Sequence, residues 1–158
     1  MELVALKDVG NVMSEARGFT LIELLVTIAV AIILATIAVP SFQSMMASSR
    51  VASDYNQVLS GLNYARSEAV KQRKDVTFSV TQSEPWVYQV SDDSVLRQHS
   101  AKDGQTSLSE SFSVTFDSLG KPIDSCSTGC DLTLGNKYSG VGDRIINISV
   151  MGRVGGGS

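Results

Sequence analysis

Histidine and tryptophan each occur once in this chain, cysteine twice and proline three times. One histidine cannot build a histidine-ligated metal centre, and two cysteines supply no thiolate set for zinc. There is no P-loop, no G-x-S-x-G elbow and no G-x-G-x-x-G opening a helix after a strand. Asp117, Asp124 and Asp131 fall in turn-rich stretches without the spacing of a calcium loop, so they read as solvated loop carboxylates. Charge is sparse at 18%, and 13 Lys and Arg against 16 Asp and Glu leave a net charge of −3. That excludes a protein that coats nucleic acid with its whole surface, while leaving room for a local basic patch. These absences point to a structural or binding protein with no cofactor, no metal and no catalytic residue.

What the chain does have is one long apolar run. From Phe19 to Val39 the only non-apolar residues are Thr20, Glu23, Thr27 and Thr36. As a helix this segment is about 31 Å long, close to the hydrocarbon thickness of a bilayer. An ordinary secretory signal cut after "AVA" at 29–31 fits less well, because the run continues to Val39 and the residues before it are not clearly basic. A retained membrane anchor is the better reading. Glu23 is then the anomaly, since a carboxylate inside a bilayer is costly and implies a function and a partner. Its nearest cation in sequence is Arg17, outside the run.

Past Pro40 the helical signal resumes at once, so Pro40 is expected to kink the helix and not to end it. Phe42, Met45, Met46, Ala52, Tyr55, Val58, Leu59, Leu62, Ala65 and Ala69 recur at three- and four-residue steps. Lys71, Arg73 and Lys74 suit a helix C-terminus. The expected helix runs from Phe19 to Lys74, roughly 84 Å. From Asp75 the period becomes two. Val76, Phe78 and Val80 share a face, as do Trp86, Tyr88 and Val90; Phe112, Val114 and Phe116; and Ile146, Ile148 and Val150. The expected fold is α+β, with an antiparallel sheet covered by the second half of the helix. Trp86 reads as core and His99 as a solvated strand or loop residue.

The segment "RGFTLIELLVTIAVAIILATIAVP" resembles the N-terminus of type IV pilins and pseudopilins. Downstream, "NYARSEAVKQRKDV", "FDSLGKP" and "INISVMGRV" resemble the GspH/FimT family of minor pilins and type II secretion pseudopilins. The resemblance implies a pilin-like fold and an ordered set of segments. Residues 1–18 would be a prepilin leader, with Met13 as an alternative start giving the short leader "MSEARG". Residues 19–40 would be the transmembrane and assembly helix, 41–74 its amphipathic continuation, and 75–158 the sheet domain and tail. Prepilin peptidase would cut between Gly18 and Phe19 and methylate the new Phe19 amine. Glu23 would pair with the amine of a neighbouring subunit during assembly. The partners implied are that peptidase, other pilins or pseudopilins in a fibre, and inner-membrane lipid before assembly. The chain would cross the bacterial inner membrane once, with its C-terminal domain in the periplasm, and then enter a pilus or pseudopilus.

Cys126 and Cys130 would remain thiols in a reducing cytosol and could close a disulfide in the periplasm, where the resemblance places them. Some members of the family bind DNA for natural transformation through a basic C-terminal G-R-x-R tail. Here Gly152 and Arg153 match, but Gly155 stands at the second arginine position. Arg144 and Arg153 are the candidate DNA contacts, and two charges release few counterions. The DNA reading predicts salt-sensitive retention of residues 46–158 on DNA and its loss in Arg153→Ala. No retention at low salt would end that reading.

Overall fold

The computed structural model describes residues 18–156. The leader expectations, including the Met13 start and Arg17, lie outside those residues. One helix, α1, spans Leu21–Gln72. It is shorter at both ends than the apolar pattern suggests, and each end has a local cause. The Thr20 hydroxyl accepts the Glu23 backbone N–H at 3.2 Å, which caps the first turn. At the other end Arg73 adopts a left-handed conformation (φ 54°) and the Lys74 N–H bonds the Ala69 carbonyl at 3.3 Å. That is a Schellman closure, which satisfies a carbonyl the helix would otherwise leave open. Helical structure continues through Pro40. The chain divides into two compact units, one ending at Val39 and the other starting at Pro40.

Among the described residues nine strands follow: β1 (Val76–Ser83), β2 (Trp86–Ser91), β3 (Val95–Ser100), β4 (Thr106–Leu108), β5 (Ser113–Phe116), β6 (Pro122–Ile123), β7 (Cys130–Asn136), β8 (Arg144–Ile148) and β9 (Val154–Gly156). They form two antiparallel sheets, ordered β3-β2-β1-β5-β6 and β4-β7-β8-β9. One sheet was the expectation. Alternation shows which side chains face inward, but it does not show which strands pair, and here β7 takes β4 and β8 as neighbours and not β5. The helix joins the two sheets in one core. Val51, Val58, Leu62, Ala65 and Ala69 of α1 pack with Val76, Phe78, Tyr88 and Phe116 of the larger sheet and Leu132, Leu134, Ile146 and Ile148 of the smaller. Gly61 lets the helix approach closely, since a Cβ there would lie 2.6 Å from the Tyr88 ring.

Four residues depart from the face assignments made above. Phe42, Met45 and Met46 are exposed, although their spacing matches the buried series. The buried face starts instead at Ala47 and Val51. Val150 does not continue the inward row of Ile146 and Ile148; β8 stops at Ile148, and a turn leaves Val150 in solvent.

Trp86 and His99 both have partners. The Trp86 indole N–H donates to the Thr106 hydroxyl at 2.9 Å, and that hydroxyl donates to the Asp54 carboxylate at 2.5 Å. His99 is half-buried and not simply solvated: its ring centroid lies 5.9 Å from those of Trp86 and Tyr88, and its Nε2 bonds the Gln57 side chain.

Two turns and the helix interlock at one point. Asp117 closes the "DSLGK" turn by accepting the N–H groups of Leu119 and Lys121, each at 2.9 Å. Arg66 Nε donates to the Gly120 carbonyl at 3.1 Å. Gly152 sits against that same carbonyl with φ +76°, and a Cβ there would lie 1.8 Å from the oxygen. A left-handed backbone and a backbone contact together leave no room for a side chain. Gly155 has nothing within 4 Å of where its Cβ would be.

Gly152→Ala is therefore expected to lose about 3 kcal/mol or more in equilibrium denaturation, and Gly155→Ala to stay within about 0.5 kcal/mol. Equal effects would show that the turn junction does not constrain the fold. Thr106→Val strips partners from both the buried Trp86 indole and Asp54, so a loss of about 1–3 kcal/mol is expected, followed by fluorescence of the sole tryptophan. A variant as stable as the parent would mean that this relay contributes nothing.

Candidate functional site

The chemistry of this chain is concentrated in the first turns of α1. Gly18 and Phe19 precede the helix and are exposed, Phe19 at 83%. Every residue from Leu21 to Val39 is exposed, in a segment apolar and long enough to cross a membrane. Such a segment in lipid must satisfy its polar groups internally. The Thr27 hydroxyl donates to the Leu24 carbonyl at 2.8 Å, and Thr36 donates to Ile33 at 2.7 Å. Glu23 is different. Its backbone N–H is capped by Thr20, but among the described residues its carboxylate accepts no hydrogen bond and forms no ion pair. It lies in the first helical turn, where the helix dipole favours a negative charge. Thr20 and Glu23 match the T-x-x-E spacing of a capping box. That signal was present in the sequence and marks the helix start more exactly than the apolar run does.

The other candidate residues are dispersed. Pro40 lies inside α1, where it removes the N–H that would reach the Thr36 carbonyl. Cys126 and Cys130 form a disulfide, with Cα atoms 5.1 Å apart, and Cys126 is buried in the core. Cys130 pairs with Ile148 across β7 and β8, so the small loop is tied to the sheet. The basic residues at the end of α1 make local contacts: Lys71 with Glu68 at 3.1 Å and Lys74 with Asp93 at 3.2 Å. Hydrogen bonds from Gln72 and then Lys71 hold the Glu68 carboxyl below its ordinary pKa.

Arg144 and Arg153 are not gathered into one patch. Arg144 opens β8, while Arg153 lies past its other end, where its carbonyl accepts from Ser149 at 2.9 Å. At about 3.3 Å per residue the hairpin separates them by roughly 16 Å. The Arg144 guanidinium lies over the Tyr55 ring, 5.5 Å from its centroid. A Cβ on Gly156 would come within 2.9 Å of the Tyr55 hydroxyl. The glycine-rich tail is thus part of the packing of β9 near α1. Of the three acids read as loop carboxylates, Asp117 is the acceptor of a tight turn and Asp131 accepts from the Asn147 amide at 2.8 Å.

The three segments "NYARSEAVKQRKDV", "FDSLGKP" and "INISVMGRV" meet in space. They supply Arg66, Gly120 and Gly152 to the junction described above. Their spacing in sequence gave no sign of this contact, because it depends on which strands pair.

Comparison with known proteins fits this geometry. Residues 54–152 match the family model described as type II transport protein GspH, and residues 13–39 match the prokaryotic N-terminal methylation motif. The second match ends at Val39, the last residue before the compact unit that starts at Pro40. Two fimbrial proteins of Pseudomonas aeruginosa are each 31% identical over 132 residues, covering 82% of this chain and 84% of theirs. Two crystal structures of the type IV minor pilin FimU of Pseudomonas aeruginosa share the fold. One has a TM-score of 0.56 at 24% identity and covers 68% of this chain and 92% of that one. The other has a TM-score of 0.57 at 21% identity and covers 74% and 92%. The chain belongs to the GspH family, and it is a minor pilin- or pseudopilin-like protein whose N-terminal methylation motif implies processing by prepilin peptidase.

Proposed function

We propose that this chain is a minor subunit of a type IV pilus, anchored in the inner membrane with its sheet domain in the periplasm until it is drawn into the fibre. The observation that carries this reading is the division of α1. Its first half is apolar and covered by nothing among the described residues, while its second half is buried against two sheets. The fimbrial relatives favour the pilus. The GspH match supports a second reading, in which the same chain serves a type II secretion pseudopilus.

In this scheme the leader is cut between Gly18 and Phe19, and Phe19 becomes the methylated N-terminus. The new amine then stands at the positive end of the α1 dipole, the least favourable place for a cation. Moving it into an apolar fibre core requires a compensating anion. Glu23 of a neighbouring subunit supplies one. The hydroxyls of Thr20, Thr27 and Thr36 are already engaged within their own helix, so the carboxylate is the group left to make an intermolecular contact. Because each amine donates to one carboxylate at one height, the pair also fixes the axial register between subunits.

Glu23→Ala should leave leader removal intact, read as the mass of the membrane-bound protein. The amount of this chain in sheared fibres should fall at least about a hundredfold, since removing one partner of a buried pair costs about 3–5 kcal/mol. Wild-type incorporation of the variant would refute the pairing.

A further inference from the structure

The outer face of the larger sheet carries no acidic or basic side chain in any of its paired rows. One row reads Ser113, Ser79, Gln89 and Gln98 across four strands. In the next row the Thr77 and Thr115 hydroxyls bond each other at 3.0 Å. Protein surfaces ordinarily intersperse charges of both signs, and this chain has 13 Lys and Arg and 16 Asp and Glu to place. The five strands hold only Arg97 and His99 of the basic types and no acid, and both lie on the inner face, against Tyr64 and Gln57 of α1. At one end this face runs into a groove. β1 continues to Ser83, past its pairing with β5, which ends at Ser79. Along that free stretch lie two adjoining cavities of about 290 and 360 Å³, which share Ser83 and Glu110. Gln82 lines the smaller cavity and also stands opposite Val87 in an outer row, so groove and face are continuous.

We propose that this groove, with the uncharged face beyond it, binds an uncharged polysaccharide. Ser83, Ser107 and Thr133 bring hydroxyls to the larger cavity and Glu110 a carboxylate. Among the described residues these four groups make no side-chain hydrogen bond within the chain, so they are free to bond a ligand. No Lys or Arg lines either cavity, and nearby Lys137 is engaged by Glu84. An anionic ligand would therefore meet a carboxylate and no free cation. A neutral sugar chain has the complementary chemistry. Its ring hydroxyls both donate and accept, as do the hydroxyl and amide side chains of the groove and the face. The Glu110 carboxylate can accept from two neighbouring ring hydroxyls in charge-assisted bonds. Leu108, at the base of the larger cavity, gives the C–H side of a ring an apolar contact. The cavities are in series and open onto flat polar rows, which suits a polymer better than a single small molecule.

The test passes the full-length chain, solubilised in detergent, over beads of cellulose and of chitin, with dextran sulfate and polylysine beads as charged comparators. The expected result is retention on at least one neutral polysaccharide, equal at low and high salt, and elution by its soluble oligosaccharide. Glu110→Ala should weaken that retention about tenfold or more, because one charge-assisted acceptor is lost. Gln89→Lys, on the flat face, should weaken it with no change in the thermal unfolding of the chain. Retention on neither neutral polysaccharide would overturn the proposal. So would retention on a charged bead alone that salt abolishes, which would mark an ordinary ionic contact. Retention that soluble oligosaccharide does not compete, or that Glu110→Ala and Gln89→Lys leave unchanged, would equally overturn it.

Discussion

Two β-sheets and one helix share a single core, and the contact that joins them is the face of α1 carrying Val51, Val58, Leu62, Ala65 and Ala69. This face is made mostly of small and β-branched residues. With Gly61 it lets the sheet residues come close to the helix axis, closely enough for Tyr88 to lie where a Cβ would otherwise be. The aromatic stack of Phe78, Tyr88 and Trp86 then fills the space between helix and larger sheet, with centroid separations of 4.8 and 5.9 Å. All of this burial uses the second half of α1. The first half, apolar from Leu21 to Val39, contributes nothing to the core. Its exposure would be a severe aggregation liability in water, and it is intelligible only if lipid or other subunits cover it.

The opposite end of the core is closed by backbone contacts. The Gly120 carbonyl accepts from Arg66 and is also the surface against which Gly152 packs. A turn between β5 and β6 and a turn between β8 and β9 are thereby locked to the last turns of α1. The C-terminal segment then passes close to Tyr55, which accounts for glycine at position 156. Arg144, over the same ring, is part of this arrangement. The tail therefore has a structural role that is independent of any nucleic-acid contact.

Much of this was legible in the sequence because it depends on local patterns. The apolar run, its misplaced carboxylate, the continuation past Pro40 and the inward rows of Val76, Phe78 and Val80 all follow from composition and period. The rest depends on pairing between distant residues. Alternation could not separate one sheet from two, because β4 and β7 lie far apart in the chain. Helical spacing could not show that the buried face starts at Ala47, since Phe42 and Met46 fit the same period. His99 finds Gln57, and Trp86 reaches Asp54 through Thr106, over separations that no local motif encodes. Val150 satisfied the strand alternation but falls within the Ser149–Gly152 turn, past the end of β8.

The central claim is that the fold is complete without the apolar half of α1, which exists to be covered by something else. The most direct test is to produce residues 40–158 alone and measure its thermal unfolding by circular dichroism and its mass by light scattering. The account predicts a soluble monomer with one cooperative transition. A fragment that is unfolded, or that holds together only as an aggregate, would show that the apolar half belongs to the fold itself, and would contradict the account.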